Sequence, residues 1–218
     1  MKQHRRRFGL LGGLSVALLA FSHWPRRVWA ARSLQPTPPE PEGPYYPPHT
    51  VWPAQVGANL RGGEGGAARA AGRALDLRGS VVDTEGRALV GAEVEIWQTD
   101  GYGHYLHPDG LQSGVQQGRD PAFAGIGRAE TDAGGEFSLR TIVPVAYSSR
   151  PPHIHVKVYV GGHERLTTQL YFPGQLEERG LASRLFGDRT WGTDRSRLSI
   201  ALEPASAGVE QGRFRFVL

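Results

Sequence analysis

The sequence predicts an all-β protein, a sandwich of mostly antiparallel strands with long loops and at most one or two short helices. Apolar and polar side chains alternate with period two over several short runs, which is the pattern of strands with two different faces. Turn residues separate these runs at close intervals. Short strands at such spacing are typical of two packed sheets, so we expect one core between the sheets.

The first two strands are predicted in the stretch that follows a low-complexity N-terminal segment. Leu77–Asp83 is predicted as a strand that ends in the turn Thr84–Gly86, and Ala92–Gln98 as the next strand. Within that second strand, one face carries Ala92, Val94 and Ile96, and the other carries Glu93, Glu95 and Trp97. A long loop, residues 99–126, follows, and loops of this length in a compact domain usually carry function.

Five further strands are predicted over Gly127–Asp132, Glu136–Ile142, Ile154–Val160, Leu166–Phe172 and Arg213–Leu218. The first two of these are expected to pair as a hairpin, and the next two to pair around Gly161–Gly162. Their alternation turns Phe137 and Leu139 inward and places Phe214, Phe216 and Leu218 on one face of the last strand. A short helix is predicted over Gln175–Leu185.

Residues 1–30 are predicted to be a targeting signal of the twin-arginine type. The basic group Arg5–Arg7 precedes an apolar run, Phe8–Phe21, and Val28–Ala30 offers small residues for a cut after residue 30. The apolar run is too short for a membrane-spanning helix, which needs about 20 residues. We therefore expect export to the periplasm or outside the cell, with no stable membrane anchor after signal removal; the general secretory route is the alternative.

The whole net positive charge of the chain comes from this predicted signal. The chain has 25 Lys and Arg against 21 Asp and Glu, and six of the basic residues but no acidic one fall in residues 1–30. The remainder is slightly acidic and its basic residues are scattered, which excludes nucleic-acid binding on charge grounds. The chain contains no cysteine, so it has neither a disulfide nor a lipid-modified cysteine anchor.

The chain divides into a signal (1–30), an N-terminal segment (31–75) and a β-sandwich domain (76–218). The N-terminal segment consists of a Pro-rich run, residues 35–53, and a Gly/Ala-rich run, residues 56–74. Such compositions lack the apolar side chains of a packed interior. We therefore expect that neither run can build a core.

The candidate site is centred on a His-x-His pair at the start of a predicted strand. His153 and His155 lie on the same face of that strand, about 7 Å apart along it, and their imidazoles can converge on one small ion. Taken alone, the pair is equally compatible with two surface histidines. Pro151–Pro152 stiffens the approach to the strand and so holds Tyr147 and Arg150 close to it.

Tyrosines supply further candidate donors. Tyr147 precedes the pair, and the stretch Trp97–His107, at the end of another predicted strand, contains a second tyrosine donor. Zinc sites usually combine Cys, His and carboxylates, whereas phenolate is a hard anionic donor that suits an ion such as Fe(III). A bound cation can hold a phenol deprotonated at neutral pH although its usual pKa is about 10.

Three spaced motifs carry a resemblance to a known family. They are Trp97-Gln98 with Tyr105, Tyr147 and Arg150 with His153-Ile154-His155, and Thr168–Phe172. Together they resemble the intradiol ring-cleavage dioxygenases, the non-haem Fe(III) enzymes that open catechol-type rings. The resemblance runs from about Thr37 to Leu218 and is strongest from Leu77 to Gly174.

The resemblance implies one Fe(III) per chain, held by Tyr105, Tyr147, His153 and His155 together with water or hydroxide. It implies that Tyr147 leaves the metal and takes a proton when a small aromatic diol binds. Arg150 would stabilise negative charge on the ring carbon that O₂ attacks, and Gln169 would hydrogen-bond near the dioxygen site. The implied reaction breaks the C–C bond between the two hydroxyl-bearing carbons and yields a cis,cis-muconate-type diacid.

The resemblance leaves the roles of several other parts of the sequence open. It implies that Glu42–Pro47 packs close to the active site, while a solvated polyproline arm is the alternative. His104 and His107 do not fall at the family's ligand spacing. The two-residue link between Tyr147 and Arg150 is shorter than in catechol- and protocatechuate-cleaving members, which leaves the substrate open. The helical dimerisation domain of catechol-cleaving members is missing, so a homo-oligomer also stays open.

Two other classes of function compete with an enzyme. Gly79–Gly86 and Thr131–Phe137 also resemble the transthyretin-like and carboxypeptidase-regulatory sandwiches, which are binding or structural modules without a metal. An exported iron- or zinc-binding protein without turnover is the third interpretation. Colour separates them, because charge transfer from tyrosinate to Fe(III) gives a red-burgundy protein, whereas a metal-free module or a zinc protein is colourless.

Overall fold

The computed structural model describes residues 33–64, 69–111, 116–148, 150–174 and 195–218. The strands within these ranges are β1 (Ala74–Val82), β2 (Glu93–Trp97), β3 (Ile126–Glu130), β4 (Glu136–Ile142), β5 (His153–Val160), β6 (His163–Tyr171), β7 (Ala201–Ser206) and β8 (Val209–Val217). Two short 3₁₀ helices cover His49–Val51 and Arg195–Leu198. No helix among the described residues is long and apolar enough to cross a membrane.

The strands form two four-stranded sheets, with the order β4-β1-β8-β7 in the first and β3-β2-β5-β6 in the second. Neighbouring strands are antiparallel, except that β1 and β8 run parallel. The predicted all-β sandwich is therefore confirmed. The predicted pairing around Gly161–Gly162 is also present, as the β5–β6 hairpin.

One apolar core cluster draws side chains from both sheets. It includes Leu77, Leu139 and Phe216 from the first sheet and Val94, Ile96 and Val156 from the second. Burial of this apolar surface supplies most of the free energy that holds the two sheets together. Because β2 alternates, its other face carries Glu95 and Trp97 to the outer side of the second sheet.

A second, smaller cluster covers the outer side of the second sheet. Its buried members are Trp97, Tyr105, Leu106 and Ile126, and Tyr45, Tyr46, Val51, Trp52, Val56 and Tyr147 pack against them. These residues come from the N-terminal segment, the long loop and the strand ends. They cover the outer face of the second sheet and exclude water from it. The candidate site lies in this cluster.

The predicted hairpin between the third and fourth strands is wrong. A tight turn does join them, since the Gly135 N–H donates to the Asp132 carbonyl at 2.9 Å. However, β3 pairs with β2 in the second sheet, whereas β4 pairs with β1 in the first. Alternation identifies the buried face of a strand but not its partner, and here the chain crosses from one sheet to the other at the edge of the sandwich.

The N-terminal segment packs on the sandwich rather than projecting into solvent. Its backbone N–H groups donate to strands and turns: Leu34 to Thr84 O at 2.7 Å, Thr37 to Val217 O at 2.9 Å, and Glu40 to Thr167 O at 3.0 Å. Leu60, in the Gly/Ala-rich run, is fully buried in the main core. Ala70 of the same run belongs to that core as well, so the run, which was not expected to build a core, still contributes to the core between the sheets.

The remaining sequence predictions differ from the structure in extent or lie outside it. The last strand begins at Val209 rather than Arg213, and β7, which pairs with it, was not predicted. The predicted signal, residues 1–30, and the predicted helix Gln175–Leu185 lie outside the described residues.

Candidate metal centre and active site

The site lies where three strands of the second sheet run side by side. Register pairs His155 with Trp97 of β2 on one side and with Gln169 of β6 on the other. His153 is paired with Tyr171 of β6. Residues directly opposite one another share a sheet face, so these five side chains form one surface, over which the long loop folds.

Three donor atoms meet at this surface. The Tyr105 hydroxyl oxygen lies 3.2 Å from His153 Nε2 and 3.1 Å from His155 Nε2, and the two Nε2 atoms are 3.1 Å apart. The three residues are only 2–3% exposed. Ligands that each lie about 2 Å from one metal ion stand roughly 3 Å from each other. The three atoms can therefore share one ion.

The surroundings of the two imidazoles favour the form that binds a metal. His153 Nδ1 lies 2.6 Å from the Pro151 carbonyl, which can only accept, so Nδ1 carries the proton and Nε2 presents a lone pair. The His155 ring stacks on Trp97 at a centroid distance of 4.7 Å. Burial lowers the pKa of His153 to about 4 and that of His155 well below its ordinary value, so both are neutral at pH 7.

Tyr147 stands beside this group at the edge of the site. Its ring meets that of Tyr105 edge-on, with centroids 5.1 Å apart, and the two hydroxyls interact. Burial raises the pKa of both phenols, so they carry their protons until a cation stabilises the phenolate. Tyr147 is half-buried while Tyr105 is fully buried, and only the former borders open space.

Arg150 returns to Tyr147 through a tight turn. The Arg150 N–H donates to the Tyr147 carbonyl at 2.9 Å, and Ser148 adopts a left-handed φ of 51°. The Arg150 guanidinium donates from Nη2 to Gln169 Oε1 at 2.5 Å. The short link between the tyrosine and the arginine thus places both side chains at the same end of β5.

A cavity of about 500 Å³ opens beside these two side chains. Its other walls are Pro44, Tyr45, Gly103, Gly110, Leu111 and Ser148. The size lies within the range of small-molecule sites. A larger cavity of about 950 Å³ lies on β1, β3, β4 and β8 and contains none of the candidate site residues, so we assign the chemistry to the smaller cavity.

The N-terminal segment contributes aromatic residues that the sequence prediction left open. The Tyr45 ring stacks on Tyr105 at 5.2 Å, the Tyr46 ring meets Trp97 edge-on at 5.0 Å, and the Tyr46 hydroxyl donates to the buried Glu95 at 2.9 Å. The segment therefore packs against the site rather than forming a solvated arm. Two adjacent tyrosines in a Pro-rich run were the signal for this contact.

Several predicted and unpredicted residues complete the neighbourhood. His104 Nε2 lies 2.8 Å from the Gln117 carbonyl and His107 packs edge-on against Tyr45, so both are held away from the three donor atoms. Sequence reasoning missed Tyr171, whose hydroxyl donates to Gln169 Oε1 at 3.1 Å. It also missed the buried Glu40, which has no motif around it. Among the described residues, no three His, Cys, Asp or Glu side chains cluster as a metal site; the donor set depends on tyrosine.

Comparison with known families agrees with this geometry. The family model described as Dioxygenase (Dioxygenase_C) matches residues 42–178. This range contains the three residues that supply the donor atoms, and it also contains Tyr147, Arg150 and Gln169. The chain therefore belongs to this family, the intradiol dioxygenases that its motifs resemble.

Individual relatives are similar over part of their length. The protocatechuate 3,4-dioxygenase β chain of Burkholderia cepacia is 37% identical over 113 residues, covering 47% of this chain and 46% of that protein. The catechol 1,2-dioxygenase of Acinetobacter baylyi is 35% identical over 121 residues, covering 47% of this chain and 37% of that protein. The chain thus spans less than half the length of these curated relatives.

A solved structure is similar over almost all of its length. It is the dioxygenase domain of a dioxygenase carbohydrate-binding protein fusion from the cellulolytic bacterium Streptomyces sp. SirexAA-E. The two chains share 33% sequence identity with a TM-score of 0.60, over 84% of this chain and 98% of that one. The fold is therefore that of a dioxygenase domain.

Proposed function

We propose that this chain is a non-haem Fe(III)-dependent intradiol dioxygenase, which uses O₂ to cleave the C–C bond between the two hydroxyl-bearing carbons of a catechol-type aromatic. The observation that carries the proposal is the meeting of Tyr105, His153 and His155 within 3.1–3.2 Å of one another. Tyr147 and Arg150 stand beside these donors on a cavity large enough for an aromatic ring. Membership of the dioxygenase family supports the same reaction.

The donor set fits a ferric ion. Tyr105, Tyr147, His153 and His155 would hold it, one ion per chain, because two phenolates and two neutral imidazoles combine hard anionic charge with nitrogen donors. When bound, the ion would act as a Lewis acid that makes the ring of the diol reactive toward O₂. The preorganised imidazoles support loading, since they need not lose a proton to bind.

Tyr147 is the residue that we expect to act as the base. Tyr105 is fully buried between Tyr45 and the two histidines, whereas Tyr147 is half-buried and borders the cavity. It can therefore swing out when a diol enters. Its phenolate oxygen would then accept a proton from the incoming hydroxyl group, as a positioned general base does.

Arg150 supplies the charge that the reaction needs next. Negative charge builds on the ring carbon attacked by O₂, and a permanently charged guanidinium in a water-poor site stabilises it strongly. The hydrogen bond to Gln169 Oε1 fixes one end of the guanidinium, so the remaining N–H groups have a defined direction at the cavity wall.

Product analysis tests the proposal directly. Iron-loaded protein incubated with catechol, protocatechuate or hydroxyquinol under ¹⁸O₂ should release a cis,cis-muconate-type diacid that carries both oxygen atoms, one in each new carboxyl group. Mass spectrometry of the products measures this, with zinc-loaded protein as the control. A yellow semialdehyde would instead indicate cleavage beside the two hydroxyls. Absence of product from all three diols would favour a binding module or a metal-binding protein without turnover.

We also propose export by the twin-arginine route, supported by Arg5–Arg7 ahead of the apolar run. Replacing the three arginines by lysine keeps the charge but removes the guanidinium groups, so the precursor should accumulate in the cytoplasm while a general secretory reporter still crosses. Fractionation and immunoblotting measure the distribution. Unchanged export of the lysine variant would point to the general secretory route.

A further inference from the structure

A chain of buried polar side chains leads from the N-terminal segment to Arg150. The Glu40 carboxylate, whose side chain is 1% exposed, pairs with Arg195 through contacts of 3.3 and 3.5 Å. The Tyr171 hydroxyl lies 3.5 Å from Glu40 Oε2 and 3.1 Å from Gln169 Oε1. That same Gln169 oxygen accepts the hydrogen bond from Arg150.

The neighbouring residue of the segment fixes the direction of the Gln169 amide. Gln169 Nε2 donates to the Pro41 carbonyl at 2.7 Å, so Oε1 must face Arg150 and Tyr171. The opposite orientation would place an NH₂ group against two donors and a carbonyl against a carbonyl. Because Glu40 donates its N–H to Thr167 O at 3.0 Å, the backbone that presents the Pro41 carbonyl is tied to β6.

Tyr171 is held on several sides by this arrangement. The Arg195 guanidinium carbon lies 5.3 Å from the centre of the Tyr171 ring, and that ring packs at 6.0 Å from the imidazole of His153. A buried carboxylate is costly unless it is paired, and here the paired charge is placed next to the hydroxyl that meets Gln169.

We propose that Glu40 is a positioning residue for Arg150, a role that rests on the proposed function. Its carboxylate, held by Arg195, fixes Tyr171 and the segment around Pro41. These two contacts present the Gln169 carbonyl to the guanidinium. Glu40 does not touch the cavity; it acts through Gln169 on the direction in which Arg150 carries its charge.

Kinetics and arginine labelling of the full iron-loaded chain test this role. Glu40→Gln should lower kcat about tenfold, the lower end of what outer-shell partners contribute, with KM and iron content within about twofold of wild type. Phenylglyoxal should modify Arg150 several-fold faster, as quantified by peptide mass spectrometry. In a Gln169→Met background, Glu40→Gln should have no further effect on kcat, because the link it acts through is already gone.

Glu42→Gln is the matched control. Glu42 lies two residues further along the same segment, pairs with Lys157 at 2.8 Å and is 45% exposed, so its replacement removes the same charge without touching Gln169. If Glu42→Gln reproduces the effects, or if Glu40→Gln lowers only the thermal midpoint, the inference is overturned.

Should Glu40→Gln fail to fold, Tyr171→Phe removes the hydroxyl that stands between Glu40 and Gln169. This variant is expected to speed Arg150 labelling and lower kcat in the same way. Unchanged values would overturn the inference.

The labelling result separates this inference from the proposed function. Faster labelling of Arg150 in Glu40→Gln, in a protein that turns over no catechol, would contradict the proposed function and leave the positioning network supported. Normal turnover and labelling in Glu40→Gln would reject the network and leave the proposed function standing.

Discussion

Replacing His155 by Ala, or Tyr105 by Phe, is expected to remove most of the bound iron and with it the colour and the turnover. The Tyr105 oxygen and the two histidine Nε2 atoms stand within 3.1–3.2 Å of one another, so each variant removes one of the three donor atoms that would bind the ion. Loss of an outer-shell partner already costs about 10- to 100-fold in metal affinity, and loss of a direct donor should cost more. Metal analysis per chain and the visible charge-transfer absorbance measure the effect.

Two residues on the β5–β6 hairpin serve as controls for these variants. Tyr159 lies on β5 beyond the donor group, and His163 begins β6 with an exposed side chain. Tyr159→Phe and His163→Ala remove the same chemical groups elsewhere, so both should keep their iron. If the Tyr105 and His155 variants retain wild-type iron and colour, the assignment of ligands is wrong.

Arg150→Ala is expected to lower turnover by about 10²- to 10³-fold, which is the usual cost of losing one preorganised charge stabiliser, while iron content stays close to wild type. The guanidinium borders the cavity and contacts Gln169, but it is not one of the donor atoms. Arg150→Lys should recover part of the rate, because it keeps the charge and loses the planar fork. Steady-state kinetics on iron-loaded protein, normalised to iron content, measure both variants.

Arg215→Ala provides the comparison for a distant arginine. Arg215 is exposed on β8 of the first sheet, so its loss changes the net charge by the same amount at a distance from the site. It should leave turnover unchanged. A parallel fall of iron and turnover in Arg150→Ala would show a structural role for Arg150, and an unchanged turnover would remove it from the mechanism.

The candidate site was predictable to the extent that it depends on local pattern. Alternation along a strand is a local property, so it placed His153 and His155 on one face of β5 before any partner strand was known. In the same way it placed Ile96 and Trp97 on opposite faces of β2, which the structure shows to be the core face and the outer face. Tyr105 could be singled out only because its spacing from Trp97 matches a family motif, since nothing local distinguishes it from Tyr102.

Strand pairing between distant parts of the chain could not be predicted from local pattern. Residues Gly127–Asp132 and Glu136–Ile142 have hairpin spacing and a tight turn between them, yet they enter different sheets. β3 pairs with β2 and β4 pairs with β1, and the choice of partner depends on the packing of the whole core. Local pattern contains no information about it.

What the sequence by itself determined is the class of fold, the family, and the face on which the candidate donors stand, because each depends on residue type and spacing along the chain. Only the tertiary structure decided that the Tyr105 hydroxyl meets both imidazoles, that the Pro-rich segment packs over the site, and that Glu40 connects to Gln169. These contacts join residues from about 50 to about 130 positions apart. The physical reason is that the N-terminal segment has no core of its own. Its polar backbone groups and its buried charge therefore find their partners on the sheets, after the chain has folded.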